Sequence, residues 1–282
     1  MSLVPFIKMH GLGNDYVYFD CVNNPDLIAD PFTAAQKIAD RHFGVGGDGI
    51  VLILSHDEAD FQMRMFNLDG SESEMCGNAI RCVGKYVFDK GHTDKETITV
   101  QTGAGILELV MNVTEGKVDT VRVDMGPAIL NGPDIPVAID KNPVKAEPIT
   151  VSDGTEYEMT CVSMGNPHAV IFVDEITDKH VLEHGKELEV HEVFPNRINV
   201  EFIKVISRNE VQMRVWERGS GETMACGTGA SAAVVASAMN DLTDRKVLVH
   251  LNGGDLEIEW AENNHVFMTG PATLAFTGEI EV

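Results

Sequence analysis

Two cysteines in this 282-residue chain open onto the same kind of segment. Cys76 leads into Gly77-Asn78-Ala79-Ile80, and Cys226 leads into Gly227-Thr228-Gly229-Ala230. Glycine after a thiol lets the backbone turn sharply into a helix and leaves bare N–H groups open to a ligand. A helix N-terminus favours negative charge and lowers a thiol pKa. Each segment therefore reads as a reactive thiol beside an anion-binding nest. Gly77 and Asn78 supply the N–H groups of one nest, Gly227 and Thr228 those of the other. Two such thiols suit the inversion of a carbon centre. One takes a proton from one face, the other returns a proton to the opposite face, and the reverse reaction swaps their roles. A carboxylate next to that carbon would be held by the N–H groups, which makes an amino acid the expected substrate. The sequence shows neither a Schiff-base lysine nor a phosphate cup, so no cofactor is expected. Preorganised donors must then stabilise the carbanion, each being worth about 3–4 kcal/mol.

The two segments belong to a longer duplication. Gln62-Met63-Arg64 returns as Gln212-Met213-Arg214, Glu72 as Glu222, and Cys76-Gly77 as Cys226-Gly227, all at one spacing and without a gap. Ser73 pairs with Thr223, and Gly49-Ile50 with Asn199-Val200. The repeated unit is strand, polar turn, Cys-Gly, helix. Two copies make a pair of related halves and not a solenoid.

The elements that must position these residues are mostly strands. Short runs rich in Val, Ile and Phe cover 16–19, 50–54, 61–66, 105–111, 118–124, 169–173, 198–206, 211–216, 247–251 and 256–260. Helical spacing is confined to 33–42, 77–90 and 227–239, the last apolar nearly all round and so expected to be buried. Many strands, few helices and no strict alternation predict an α+β fold. Five prolines between Gly126 and Pro148 mark a boundary. The expected domains are 1–126, carrying Cys76, and 127–282, carrying Cys226.

The composition excludes several classes. Asp and Glu number 44 against 21 Lys and Arg, a net charge of −23. Such a surface repels nucleic acid and anionic lipid. No apolar run is long enough to span a membrane, and no export signal is visible. The cytoplasm is the expected compartment, with reduced thiols. The cysteines number five, an odd count, and none stands in a CxxC pair. No metal site is expected from their spacing. Cys21, Cys82 and Cys161 sit inside apolar runs and read as core residues.

Five motifs, taken together, resemble the diaminopimelate epimerase family. They are Lys8-Met9-His10-Gly11-Leu12-Gly13-Asn14-Asp15, Phe66-Asn67 with Asp69-Gly70-Ser71, Cys76-Gly77-Asn78, Ser163-Met164-Gly165-Asn166-Pro167-His168, and Glu217-Arg218-Gly219 through Cys226-Gly227-Thr228-Gly229. They run in order over essentially the whole chain. The resemblance implies cofactor-free interconversion of LL- and meso-diaminopimelate, a step in lysine and peptidoglycan precursor biosynthesis. It implies two pseudo-symmetric domains, each a barrel-like sheet around a central helix, with the last ten or so residues returning to the first domain. It carries Cys76 and Cys226 over as the acid–base thiols. Gly77, Asn78, Gly227 and Thr228 become carboxylate-binding positions. Asn14, Asn67, Asn166, Asn199, Glu217 and Arg218 become substrate contacts, and His168 and Glu217 modulators of the thiols. Arg218 can grip a carboxylate with two hydrogen bonds, and Asn and Glu oxygens can accept from an ammonium group. One departure stands out: some members carry Gln after Gly47-Asp48, and here Gly49 offers no side chain. The sequence does not fix the oligomeric state; a homodimer is the partner to test for.

Three rivals remain open at this stage. A proline or hydroxyproline epimerase would share both thiols, but it has no distal ammonium and carboxylate for Arg218, Asn14, Asn166 and Asn199 to bind. An isomerase of the phenazine-biosynthesis type would lack the cysteine pair. A thiol redox protein would more often carry CxxC.

Overall fold

The computed structural model describes residues 3–282 and divides the chain into two compact units, Met1–Asp124 with Thr269–Val282, and Met125–Met268. In the first unit the chain runs β1 (Leu3–Gly11), β2 (Asn14–Asp20), α1 (Pro31–Ile38), β3 (Gly49–Leu54), β4 (Phe61–Asn67), β5 (Glu72–Ser73), α2 (Gly77–Asp89), β6 (Thr97–Thr102), β7 (Gly105–Thr114) and β8 (Lys117–Pro127). The second unit holds β9 (Glu147–Thr150), β10 (Glu156–Ser163), β11 (Pro167–Phe172), a π-helical turn Lys179–Gly185 leading into α3 (Lys186–Glu189), β12 (Asn199–Ser207), β13 (Glu210–Glu217), β14 (Gly221–Glu222), α4 (Gly227–Met239), β15 (Lys246–Leu251) and β16 (Gly254–Trp260). β17 (His265–Pro271) leads out of it into β18 (Thr273–Glu281), which pairs antiparallel along β1 from Leu3↔Glu281 to His10↔Thr273.

The pairing repeats between the units. In the first, β1 runs against β2, β2 is parallel to β3, β3 runs against β4, β4 is parallel to β6, and β6 runs against β7. In the second the same pattern recurs with β10, β11, β12, β13, β15 and β16. Each parallel step after β4 or β13 is bridged by the Cys-Gly helix, α2 or α4, as parallel strands require a crossover. α4 packs against β10, β11, β12, β13, β15 and β16 at once. Its Gly, Ala, Ser and Val side chains are buried from Gly227 to Ser237, with only Thr228 half-buried. Small side chains on every face let strands approach it from all round.

Two expectations need correction. The first helix ends at Ile38 and not near 42, because the Asp40 carboxylate accepts from the His42 and Phe43 N–H groups and folds 40–43 into a turn. It also starts earlier, at Pro31, with Asp30 as its cap. β1, β6, β9, β10 and β17 were not evident as strands; Pro5 in β1 and the charged alternation Glu156-Tyr157-Glu158 in β10 hide them.

Gly49 has a packing reason. A Cβ there would stand 2.0 Å from the Phe66 carbonyl oxygen on the neighbouring strand β4. Backbone cannot give way as a flexible side chain does. Gly49→Ala should therefore cost about 3 kcal/mol. Denaturant unfolding checks this, and an unchanged midpoint would contradict it.

Candidate active site

In the first unit the hairpin turn Leu12-Gly13, with φ of 56° and 87°, sets Asn14 at the start of β2. Cys76 caps α2 in extended conformation and is half-buried. Its thiol donates to Asn14 Oδ1 at 3.4 Å. The Asn14 amide is held from behind, its Nδ2 donating to Asp48 Oδ2 at 2.6 Å. Arg41 grips Asp48 at 2.9 Å and Asp15 at 2.6 Å, and Lys8 meets Asp15 at 2.5 Å. Tyr16 is buried beside Cys76; burial first, then the Cys76 and Asp48 charges, push its hydroxyl far up, so it stays a neutral donor. Asn67, half-buried at the end of β4, donates to Ser71 Oγ at 3.1 Å.

Beneath the α2 mouth lies Arg81, wholly buried. Its guanidinium donates to Gly77 O and to Asn78 Oδ1, both at 3.0 Å, and to Pro271 O at 3.2 Å. These bonds fix the carbonyl of Gly77 and the side chain of Asn78. Gly11 packs so closely that a Cβ would meet Arg81 Nη2 and Asn78 O at 2.9 Å. Burial lowers the Arg81 pKa, yet guanidinium keeps its charge in proteins.

In the second unit Cys226 caps α4 and is only 5% exposed. The Gly229 N–H donates to its Sγ at 3.3 Å, and Thr228 Oγ1 lies 3.5 Å away. Burial pushes this thiol well above the usual range, and the Glu217 carboxylate adds to the rise, as does Glu201 to the extent that His168 does not neutralise it; Thr228 and the Gly229 N–H pull back less. The low-pKa thiol expected at this helix mouth is thus corrected for Cys226: desolvation and the Glu217 carboxylate outweigh the helix terminus. Burial also raises the Glu217 carboxyl, against the pull of Thr223, which donates to its Oε1, and of His168.

Behind Cys226 runs a polar chain. Asn166 Nδ2 donates to Thr228 Oγ1 at 3.2 Å, and Asn166 Oδ1 stands 3.0 Å from His168 Nε2. His168 Nδ1 is 2.6 Å from Glu201 Oε1. Asn199 spends its amide on the backbone, donating to Pro167 O at 2.7 Å and accepting from the Arg218 N–H at 2.9 Å. It therefore holds Arg218 in place, while the exposed Arg218 side chain donates to Asn196 O at 3.3 Å.

The two mouths differ in charge. At the duplication spacing, Ser231 stands for Arg81 and donates to Gly227 O at 2.9 Å, as Arg81 does to Gly77 O. Glu201 stands for Val51, and Glu217 for Asn67. A buried cation serves the first thiol, and two carboxylates crowd the second. Sequence reasoning missed Arg81, Glu201, Asp48 and Tyr16. For Arg81 and Glu201 the only signal was local, a charged residue flanked by apolar ones, and such a residue is almost never buried unless paired. Cys21, Cys82 and Cys161 are buried in the core.

A model of the diaminopimelate epimerase family matches residues 6–131 and 160–275. The diaminopimelate epimerase of Acetivibrio thermocellus is 55% identical over 278 residues, covering 98% of both chains. That of Methanococcus maripaludis is also 55% identical, over 98% of this chain and 99% of the relative. Among solved structures, a phenazine biosynthesis protein of the PhzF family from Enterococcus faecalis superposes with a TM-score of 0.71 at 16% identity, covering 100% of both chains. A hydroxyproline epimerase from Agrobacterium vitis gives 0.69 at 14% identity, over 99% of this chain and 91% of that one. These two share the fold.

The raised Cys226 thiol has a measurable consequence. A group held protonated reacts as thiolate only as pH climbs, so Cys226 alkylation by iodoacetamide should still be rising above about pH 9. Glu217→Gln removes one of the opposing carboxylates and should move that curve to lower pH. Peptide-resolved mass spectrometry reads it; a plateau already reached near neutrality would contradict the electrostatics.

Proposed function

The chain belongs to the diaminopimelate epimerase family, and from that premise we propose how its own residues carry the interconversion of LL- and meso-diaminopimelate. The observation that carries the reading is the pair of Cys-Gly helix caps, Cys76 on α2 and Cys226 on α4. Two thiols at matching helix mouths supply the base and the acid that inversion at Cα needs, without pyridoxal phosphate. The backbone N–H groups of Gly77, Asn78, Gly227 and Thr228 are the donors for the reacting carboxylate, where charge develops as the proton leaves. Asn14, Asn67, Asn166, Glu217 and Arg218 are the contacts for the remaining polar groups of a substrate with an amino acid at each end. Asn199 acts through Arg218, whose N–H it holds.

The charge difference supports unequal resting roles. Arg81 lies wholly buried under the first helix mouth and favours negative charge there. Burial and the Glu217 carboxylate keep Cys226 a thiol. Once it gives up the proton it directs at Asn14 Oδ1, Cys76 is then the first proton acceptor and Cys226 the proton donor. One turnover exchanges these states. His168 and Glu217 set the protonation on the second side. Among the described residues the five cysteines form no disulfide, which fits the reducing cytoplasm.

We also propose a homodimer. Leu3, Leu274 and Phe276 on the paired strands β1 and β18 are 64%, 41% and 48% exposed, apolar area that a second copy would cover. Sedimentation should give twice the chain mass of 30.8 kDa, and Phe276→Asp should give the monomer. A monomeric native protein would refute this.

The activity test is direct. The protein alone should convert LL- to meso-diaminopimelate and leave L-proline untouched. Cys76→Ala and Cys226→Ala should each lower kcat by about 10²–10⁴-fold, the usual worth of one acid–base group. Undiminished activity in either variant, or a need for pyridoxal phosphate, would rule the mechanism out.

A further inference from the structure

Glu201 lies mid-strand among apolar neighbours with no exposed surface. Its Oε1 is 2.6 Å from Nδ1 of the equally buried His168, and its Oε2 has no hydrogen-bond partner among the described residues. A carboxylate so placed survives only against a group that shares or neutralises its charge. The other side of the ring narrows what that group carries. His168 Nε2 faces Asn166 Oδ1 at 3.0 Å, while Asn166 Nδ2 is committed to Thr228 Oγ1 at 3.2 Å. Both ring nitrogens therefore face oxygens. For both contacts to be hydrogen bonds, Nε2 carries one proton and a second lies between Nδ1 and Oε1. On whichever side the shared proton rests, Glu201 and His168 together hold two protons and no net charge. Thr228, having accepted from Asn166, still has its own hydroxyl proton, and Cys226 Sγ is 3.5 Å from that oxygen.

We propose that Glu201 is a positioning residue for Cys226. By sharing a proton with His168 it fixes the direction of the chain His168–Asn166–Thr228, so that a hydroxyl proton points at Sγ as the thiol loses its own. No proton moves along the chain. The S–H bond breaks toward the substrate carbon, and the Thr228 O–H turns to the negative sulfur. This rests on the reading of Cys226 as an acid–base thiol. The close fit supports it: a Cβ on Gly229 would lie 2.7 Å from Glu201 Oε1 and 3.2 Å from Cys226 Sγ, so the helix mouth sits directly on the pair. The titratable groups around the pair are Glu217 from β13, Cys226 at the α4 mouth and Cys161 from β10. Val51 occupies the equivalent place in the first unit, so the device serves only the second thiol.

Glu201→Gln keeps the shape and removes the charge. Alkylation of Cys226 by iodoacetamide should slow about tenfold at a given pH, the worth of one hydrogen bond to a charged group, with Cys76 in the same molecule unchanged. On diaminopimelate, kcat should fall while KM holds. In a Thr228→Val background, Glu201→Gln should add no further slowing. Simple repulsion by Glu201 predicts the opposite sign, so faster or unchanged alkylation of Cys226 in the folded variant would overturn the proposal. Should the variant not fold, nitrogen-15 spectra of histidine-labelled wild-type protein decide it. His168 Nε2 should be protonated at about pH 7–8, and an unprotonated Nε2 would overturn the proposal. Neither readout uses substrate, so a wild-type protein inactive on diaminopimelate would refute the function and leave this result standing.

Discussion

A charge buried without access to water must be paired where it stands, and each unit is built around one such charge. Arg81 sits under the mouth of α2 and Glu201 beneath the mouth of α4, both with no exposed surface. Their partners come from far along the chain: Pro271 for Arg81, His168 for Glu201. Removing His168 would leave the Glu201 carboxylate uncompensated in the core, a loss of about 3–5 kcal/mol. Strand register, helix entry and the placement of each cysteine are therefore tied together by the need to satisfy these two side chains.

That constraint also divides the labour between two otherwise equivalent halves. The backbone plan is duplicated down to the strand pairing and the Cys-Gly caps. The buried charges are not. A cation lies near one thiol, and a carboxylate pair with one imidazole surrounds the other. A reaction that removes a proton on one side and returns one on the other needs this inequality at rest, since two thiolates or two thiols could not begin it. In the proposed mechanism, backbone symmetry supplies matching N–H donors, and side-chain asymmetry the unequal protonation of the two thiols.

Much of this was legible in the sequence. Cys76 and Cys226 were found from the glycine that follows each and from the common spacing of the repeat, both local features. The buried α4 was evident because small apolar residues fill every face of one helix. Arg81 and Glu201 escaped because a single charged residue in an apolar run carries no spacing pattern, and its partner lies on another strand. Asn199 was legible as a site residue, but not its hydrogen bonds to Pro167 and Arg218, which belong to backbone contacts that only the folded strands create. The early stop of α1 turned on one side chain, Asp40, capping a turn.

The central claim is that two separate thiols handle the proton, one on each side of Cα. Its most direct test is the early time course in D₂O, starting from LL-diaminopimelate and separating the remaining substrate from the meso product by chromatography before mass analysis. The account predicts one deuterium in the product at the inverted carbon and none in the recovered substrate. Deuterium entering the recovered substrate as fast as product forms would mean that a single group both removes and returns the proton, and would contradict the account.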